Sequence, residues 1–589
     1  MLKDQMKKIT IAVLVMVVFF LGVWLGYSEM EPEPTGPIYS SGMYDQEFFE
    51  KAYEKVGKVD HDRKADSAII AHHLLVADKM AQAFETVGQR GVETVVVLSP
   101  NHFSSGRSAA QISQGNWNTP YGILQSDHNV INDLLEASPI LTNEEVTFEN
   151  EHGIAALTPF IKKSFPNAKI VPIVLHESLS YDQARELGQL IASELPNSFV
   201  VGSLDMSHYL PEYVSVFHDA VSESVIAQGG CDLCELEVDS NSVLQTLWQI
   251  NLERETQEWH KLYRGSAVAM GATDDYQDNT SHLIGYFNNG DPLGRAATSF
   301  TFIGDIMLSR YVSDLMAVQG TDYPWELMDR FLSGIDLVVG NFEGTVCDQI
   351  DEDPEEPPYE FSFSGQAVES LANYVDAINL ANNHTDDFAG ECFEQTKQAL
   401  TDLGVYSFST FNTSDPTFST NMHGIPFALI GYNAFATDQE ELVSQIQQAS
   451  DRGYVTIVLP HWGVEYQEIS SLVQQDLAEQ MVQAGADLII GTHPHVVQEI
   501  GLVESTPVFY SLGNFIFDQD LPGTDQGLSI GAILYHDQIE LYLMPYRIEN
   551  FQPVPINDSK AQIIFKSLTE KSNFALIKEI NNGKIIINL

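Results

Sequence analysis

ADLIIGTHPH, residues 486–495, is a short apolar run that ends in two histidines separated by a proline. The stretch before it, QDLAEQMVQAGA (475–486), has amphipathic-helix spacing and closes on Gly485, a residue suited to a helix C-terminus. Helix, strand and polar loop in that order form the repeating unit of an open α/β sheet, whose strands deliver site residues at their carboxyl ends. The pattern recurs outward in both directions: TSFTFIGD ends at Asp305, DLVVGNFE carries Asn341 and Glu343, DAINLANNH carries Asn383 and His384, YVTIVLPHWGVE carries His461 and Glu465, and VFYSLGNF carries Asn514. Taken singly, each is an ordinary turn residue or a satisfied core histidine. Together, His, Asp, Glu and Asn at the ends of consecutive strands point to a metal centre, because several buried polar groups without compensation would be costly.

The donor types narrow the chemistry. Imidazole suits zinc, manganese or iron, and carboxylates can bridge two such ions. A pair of ions ~3.5–4 Å apart clamps the attacking and leaving oxygens of a phosphoryl displacement. Asn383 would add a neutral amide oxygen, and His384 beside it could act as general acid. Arg310 could meet an anionic substrate group or be a surface arginine. Glu465 reads equally as a ligand, an orienter of a ligand or a helix-start acid. Asn514 and Asp518 fit loop-orienting hydrogen bonds.

GDIMLSR (304–310), NFEGTV (341–346), NLANNHTDD (379–387), PHWGVEY (460–466), GTHPH (491–495) and SLGNFIFDQ (511–519) resemble, in order, the motifs of the CapA/PgsA family of poly-γ-glutamate capsule synthesis proteins. The resemblance covers about residues 298–540. It implies the calcineurin-like metallophosphoesterase fold, a two-sheet sandwich flanked by helices. By analogy Asp305 and His495 would hold one metal, Asn383, His461 and His493 the other, and Glu343, or else Asn341, the bridging place, with Asn341 and Glu465 otherwise near the substrate. The chain departs from the usual Asp-x-His opening, since Ile306 and Met307 follow Asp305.

Upstream, IIAHH, LSPNHF, ENEHGIAALTPF and GSLDMSHYL carry His73, His102, His152, Asp205 and His208. Through SHLIGYF (281–287), these segments resemble the MEMO family, including protein B of the AmmeMemoRadiSam system, which shares a fold with class III extradiol dioxygenases. That resemblance implies a pocket of two histidines and a cysteine holding copper or iron. Here YRGSAVAMG (263–271) places Arg264 where the thiolate is expected, and a permanent cation opposes metal binding. The pocket is read as a ligand site or as a degenerate structural domain.

Size and composition set the frame. A chain of 589 residues, 44% hydrophobic, exceeds the ~250–300 residues at which single cores stop growing. The balance of 29 Lys+Arg against 82 Asp+Glu gives −53, which excludes nucleic acid as a partner. The acidity favours solubility or, functionally, contact with anionic polymers only inside a cation-bearing pocket. Lys3, Lys7 and Lys8 precede an uncharged run from Ile9 to Tyr27, which reads as a transmembrane anchor or, alternatively, a cleaved signal. The lysines would place the bulk of the chain outside the membrane. Cys231 and Cys234 suggest a local disulfide or idle thiols.

The expected organisation is a cytoplasmic N-terminus (1–8), an anchor (9–27), a stalk (28–45), a MEMO-like α/β domain (46–288), a linker (289–297) and a metallophosphoesterase-like α/β sandwich (298–589). The acidic, proline-rich insertion 348–360 is expected to be an exposed loop or a lid. The expected function is synthesis, export or anchoring of an anionic envelope polymer, with one or two divalent ions (Mn, Zn or Fe). Membrane polymer synthase subunits are the expected partners. The alternative is a non-catalytic accessory subunit that grips the polymer.

Overall fold

In the computed structural model, which describes residues 36–589 apart from 43, 60–64, 89–90, 232–233, 348–359, 389 and 409–416, the six C-terminal apolar runs all become strands. Thr298–Ile306 lies in a nine-stranded sheet, parallel to Leu337–Phe342 and antiparallel to Gln526–Leu534. Leu337–Phe342 continues in parallel to Ala377–Asn379 and then Tyr406–Phe408. A six-stranded sheet stacks on the first, with Ile425–Asn433, Val455–His461 and Leu488–Ile490 parallel at its centre.

Side-chain alternation explains the stacking. Phe300, Phe302 and Val339 of one sheet share a core with Phe427, Leu429, Ile457, Leu459, Leu488 and Ile490 of the other. The intervening residues Ala428, Ile430, Val458 and Ile489 face outward onto Leu442, Ile446, Leu477 and Met481. Those four belong to the helices Gln439–Asp451 and Leu472–Gln483. A strand with both faces covered has to be apolar at every position, as these runs are. Each such side chain contributes roughly 1.5–3 kcal/mol by leaving water. Helix Leu472–Gln483 starts in a reciprocal Ser471–Gln474 capping box, and Gly485 takes φ +107° just past its end.

The N-terminal unit is built on an eight-stranded sheet. Ser67–Ile70, Phe199–Ser203, Thr94–Pro100 and Lys169–Leu175 run parallel in that spatial order. The hairpin Glu258–Ser266/Ser281–Asn288 closes one edge. Residues expected in a solvated stalk instead form a strand, Ile38–Ser40, paired in parallel with Asn116–Thr119. Helix Glu212–Ala227 joins this unit to the sandwich. Tyr213 Oη donates to Pro545 O at 2.7 Å, Glu212 N donates to Asp558 Oδ2 at 3.1 Å, and the Phe217 ring lies 5.3 Å from that of Tyr542. Gly531 permits that approach, because a Cβ there would sit 2.8 Å from the Phe217 ring.

Three expectations are revised. Among the described residues no helix is long and apolar enough to cross a membrane, so the fold class is corrected to a mixed α/β chain without a demonstrated span. The expected single-pass location falls with it. The run 9–27 on which both rested lies outside the described residues, as do 348–359 of the acidic insertion. All four cysteines are paired, Cys231 with Cys234 and Cys347 with Cys392; the second bridge was not anticipated.

Arg264 is committed elsewhere than to a metal pocket. It donates to Asp219 Oδ2 at 2.7 Å and to Glu212 Oε1 at 2.5 Å. Asp219 is buried and also accepts from Ser207 and Ser281. Removing the guanidinium would strand that carboxylate. Arg264→Ala should therefore destabilise the N-terminal unit by about 3 kcal/mol, seen as an earlier urea transition of the full chain. An unchanged midpoint would show that the network is dispensable.

Candidate metal centre

Asp305 owes its position to a break in its own strand. The register shifts between Phe302 and Asp305 and again between Asp305 and Ile306. Gly304 lets the chain at Gly513 pass against it, since a Cβ at 304 would meet Gly513 O at 1.9 Å. The bulge turns the Asp305 carboxylate into the crevice between the two sheets. Asn341 and Glu343 come from the next strand and its following residue, His461 ends its own strand, and His493 and His495 follow Leu488–Ile490.

These side chains meet. Asn341 Nδ2 donates to Asp305 Oδ1 at 2.8 Å and to Glu343 Oε1 at 3.2 Å, and lies 3.2 Å from His461 Nδ1. His461 Nε2 lies 2.7 Å from Asn383 Oδ1, 3.1 Å from His493 Nδ1 and 3.7 Å from Glu343 Oε1. Asp305 Oδ2 accepts from His493 N at 3.2 Å and lies 3.4 Å from His495 Nδ1. Asp305, Glu343 and His495 each offer a ligand atom within 4.8 Å of the others. The two histidines of the HPH segment sit at φ +95° and +58°. Left-handed backbone at a non-glycine residue costs about 1–3 kcal/mol each and persists where the surroundings enforce it.

The electrostatics suit a cation-binding set. Burial, and then the neighbouring Asp305, pushes Glu343 well above the usual carboxylate range. Burial opposes ionisation of Asp305 as well, yet the hydrogen bond and charge of His495 hold it below that range. Burial and His493 push His461 well down, and burial with His495 pushes His493 to about 4. Those two imidazoles, His461 and His493, are thus neutral, the form that binds metal. Glu343 Oε2 is buried with no hydrogen-bond partner among the described residues. An orphaned buried oxygen beside a carboxylate and three imidazoles fits a divalent ion.

The other expected residues lie around this core. His384 Nδ1 is 2.9 Å from Asp387 Oδ2, and its ring stacks 4.2 Å from that of Phe361. Arg310 is locked to Asp518 in a two-pronged pair with its guanidinium 4.8 Å over the Phe361 ring. Asn341 is buried among the candidate ligands rather than lining open space. Glu465 is exposed at the rim, near enough to raise Glu343 further. Sequence reasoning missed Asn382, whose Nδ2 reaches Asn341 Oδ1 and Phe342 O, and Asp387. Both sit inside the NLANNHTDD segment, so a polar run that dense was the available signal.

In the N-terminal unit His102, His152 and Asp205 gather at the carboxyl ends of the parallel strands, but His72 joins them in place of His73. His73 is exposed and caps Leu75 N. His208 stands at the margin, bridged to Thr280. Glu151 and Asp239 complete the cluster and were not singled out; Glu151 adjoins His152, whereas nothing in the sequence marks Asp239.

A two-sheet α/β sandwich with a His–carboxylate crevice, following a parallel-sheet unit with a second His–carboxylate pocket, defines the class. The profile "Bacterial capsule synthesis protein PGA_cap" matches residues 299–519, and "Memo-like protein" matches residues 31–257. The chain is 30% identical over 315 residues to the PGA biosynthesis protein CapA of Bacillus subtilis (strain 168), covering 49% of this chain and 82% of that one. It is 29% identical over 319 residues to the capsule biosynthesis protein CapA of Bacillus anthracis, covering 49% and 77%. A MEMO1 family protein of Caldivirga maquilingensis is 33% identical over 160 residues, covering 26% of this chain and 56% of that one. The chain belongs to the PGA_cap family of capsule synthesis proteins, with a Memo-like unit fused ahead of that region.

Glu343→Gln supplies a direct check. The amide is isosteric with a protonated carboxyl, so the melting temperature of the metal-free chain should be unchanged. Bound manganese or zinc, measured by equilibrium dialysis, should fall relative to the wild-type chain. Undiminished metal would remove Glu343 from the centre.

Proposed function

We propose that this protein is a CapA-type factor in the synthesis, export or anchoring of an anionic envelope polymer, poly-γ-glutamate by family, and that its C-terminal unit is a metal-dependent hydrolase. One observation carries the hydrolytic part: Asp305, Glu343, Asn383, His461, His493 and His495, drawn from strands of two different sheets, converge on one crevice.

In this reading Asp305 and His495 would hold one ion and Asn383, His461 and His493 a second, with Glu343 available to both. When bound, such ions supply Lewis-acid polarisation of the scissile group and activation of water. The chain's own residues do the rest. Asn341 spaces Asp305 and Glu343 by donating to both. Asp387 Oδ2 accepts from His384 Nδ1 and from Phe361 N at 2.8 Å. That fixes the imidazole with Nε2 free to carry the proton for the leaving group. His384 is close enough to depress both His461 and His493, which puts it beside the ligands rather than among them. Phe361 and Phe517 wall the crevice around the Arg310 guanidinium. Because Asp518 neutralises Arg310, that residue orients an anionic group rather than attracting it from a distance.

The second reading is a non-catalytic subunit that grips polymer through bound ions beside a synthase. The exposed Glu465 and the net charge of −53 favour a polymer engaged only where cations offset the protein's own field.

A panel of phosphoesters and γ-glutamyl peptides, offered to the full chain with manganese or zinc, decides between the two. Turnover should vanish in His493→Ala, and His384→Ala should reduce kcat by about 10²–10⁴-fold with metal retained. Stoichiometric metal and polymer binding without turnover would select the accessory role. Equal activity of wild type and His493→Ala would end the hydrolase reading.

A further inference from the structure

The pocket of the N-terminal unit has a donor set of its own. His72 follows the strand Ser67–Ile70, His102 follows Thr94–Pro100 and Asp205 follows Phe199–Ser203, three neighbouring parallel strands. Asp239 enters from the segment that precedes helix Asn241–Arg254. His72 Nε2 lies 3.3 Å from Asp205 Oδ2 and 3.5 Å from Asp239 Oδ2, and His102 Nε2 lies 3.8 Å from Asp239 Oδ2. We propose that His72, Asp205 and Asp239 bind one divalent ion of the zinc, manganese or iron(II) class through nitrogen and oxygen alone, with His102 flanking Asp239.

The spacing is the first support. Metal–ligand bonds of about 2.0–2.2 Å at tetrahedral angles place neighbouring donors about 3.3–3.6 Å apart. The two His72 separations, 3.3 and 3.5 Å, fall there and exceed a good hydrogen bond. The second support is how the ligands and the flanking His102 are held from behind. His72 Nδ1 faces Ser203 Oγ at 3.1 Å, and that hydroxyl donates to Gly153 O. His102 Nδ1 lies 2.6 Å from Glu151 Oε1, which also accepts from Gly153 N. Asp205 Oδ1 pairs with His282 Nδ1 at 2.8 Å, and Asp239 Oδ2 accepts from Asp205 N at 3.1 Å. Imidazoles backed by a carboxylate or hydroxyl, with the other nitrogen aimed inward, are the usual outer arrangement of a metal site.

The third support is an unpaid polar atom: Asp239 Oδ1 is buried without a hydrogen-bond partner among the described residues. Two buried carboxylates on the same imidazole need a cation. His152 stands at the mouth, half exposed, with its ring 4.0 Å from that of His102, where it would face a ligand of the bound ion.

No thiolate takes part. All four cysteines are in disulfides, and Arg264 is spent on Asp219 and Glu212. The copper-type set of two histidines and a cysteine implied by the MEMO resemblance therefore does not fit here. Oxygen donors in place of sulfur shift preference from copper(I) toward zinc, manganese and iron(II).

Cobalt(II) titration of the full chain tests this. With Asp305→Ala and His493→Ala introduced together to silence the C-terminal centre, one equivalent should bind. Its visible d–d bands should appear without a thiolate charge-transfer band. Adding His72→Ala or Asp239→Asn should weaken that equivalent by at least ~10-fold; Asp239→Asn keeps the side-chain shape, so folding is retained. Should the silenced chain fail to fold, the same two changes in the otherwise wild-type chain should each remove one bound equivalent. Cobalt binding indifferent to His72 and Asp239, no binding at all, or tighter retention of copper(I) than of zinc would overturn the proposal.

Discussion

A cluster of buried donor atoms without full protein partners governs the C-terminal unit. Asp305 and Glu343 lie fully inside, joined through a single asparagine amide, beside three imidazoles of which burial keeps His461 and His493 neutral. Among the described residues no lysine or arginine enters the cluster; Arg310, close by, is paired to Asp518. Such a set in a low-dielectric interior is of the kind that a cation would complete. The left-handed HPH backbone, the bulge at Asp305 and the close approach of Gly304 to Gly513 all bring donors to that one place. Local strain and lost sheet pairing are tolerated there because the sandwich core around them is extensive.

The same logic appears once more in the N-terminal unit on an unrelated set of strands. In both units parallel strands end at a common edge, and the residues just past those ends are polar. Sheet topology therefore explains why one chain carries two His–carboxylate clusters, without any similarity between them being required. The units are also not independent beads. Tyr213, Phe217 and His218 of the connecting helix insert against the C-terminal sheet and Phe331, so the Memo-like unit and the sandwich share packed surface.

Much of this was open to sequence reading. Uniformly apolar runs followed by His, Asp, Glu or Asn identify strands with both faces covered and mark their carboxyl ends, so Asp305, Glu343, His461, His493 and His495 could be singled out before any coordinates. The Ser471–Gln474 box and Gly485 likewise bracket a helix from local chemistry alone. Reading failed where two neighbours compete for one direction. Of His72 and His73 only one can face the pocket, and strand parity past the last paired residue selects His72. It also failed where the partner is distant: Asp239, Glu151 and the Cys347–Cys392 bridge depend on loops whose paths no local pattern encodes.

By itself, then, the order of residues determined the α/β class, the pairing of two unlike units and the kinds of donor atom at strand ends, because hydrophobic period and side-chain chemistry are local properties. Only the tertiary structure decided which donors meet. It turned Asn341 inward as a strut, spent Arg264 and Arg310 on carboxylates, and brought Asp239 to His72. Distances between groups far apart in the chain follow from how sheets stack and loops return, and those are set by the packing of the whole.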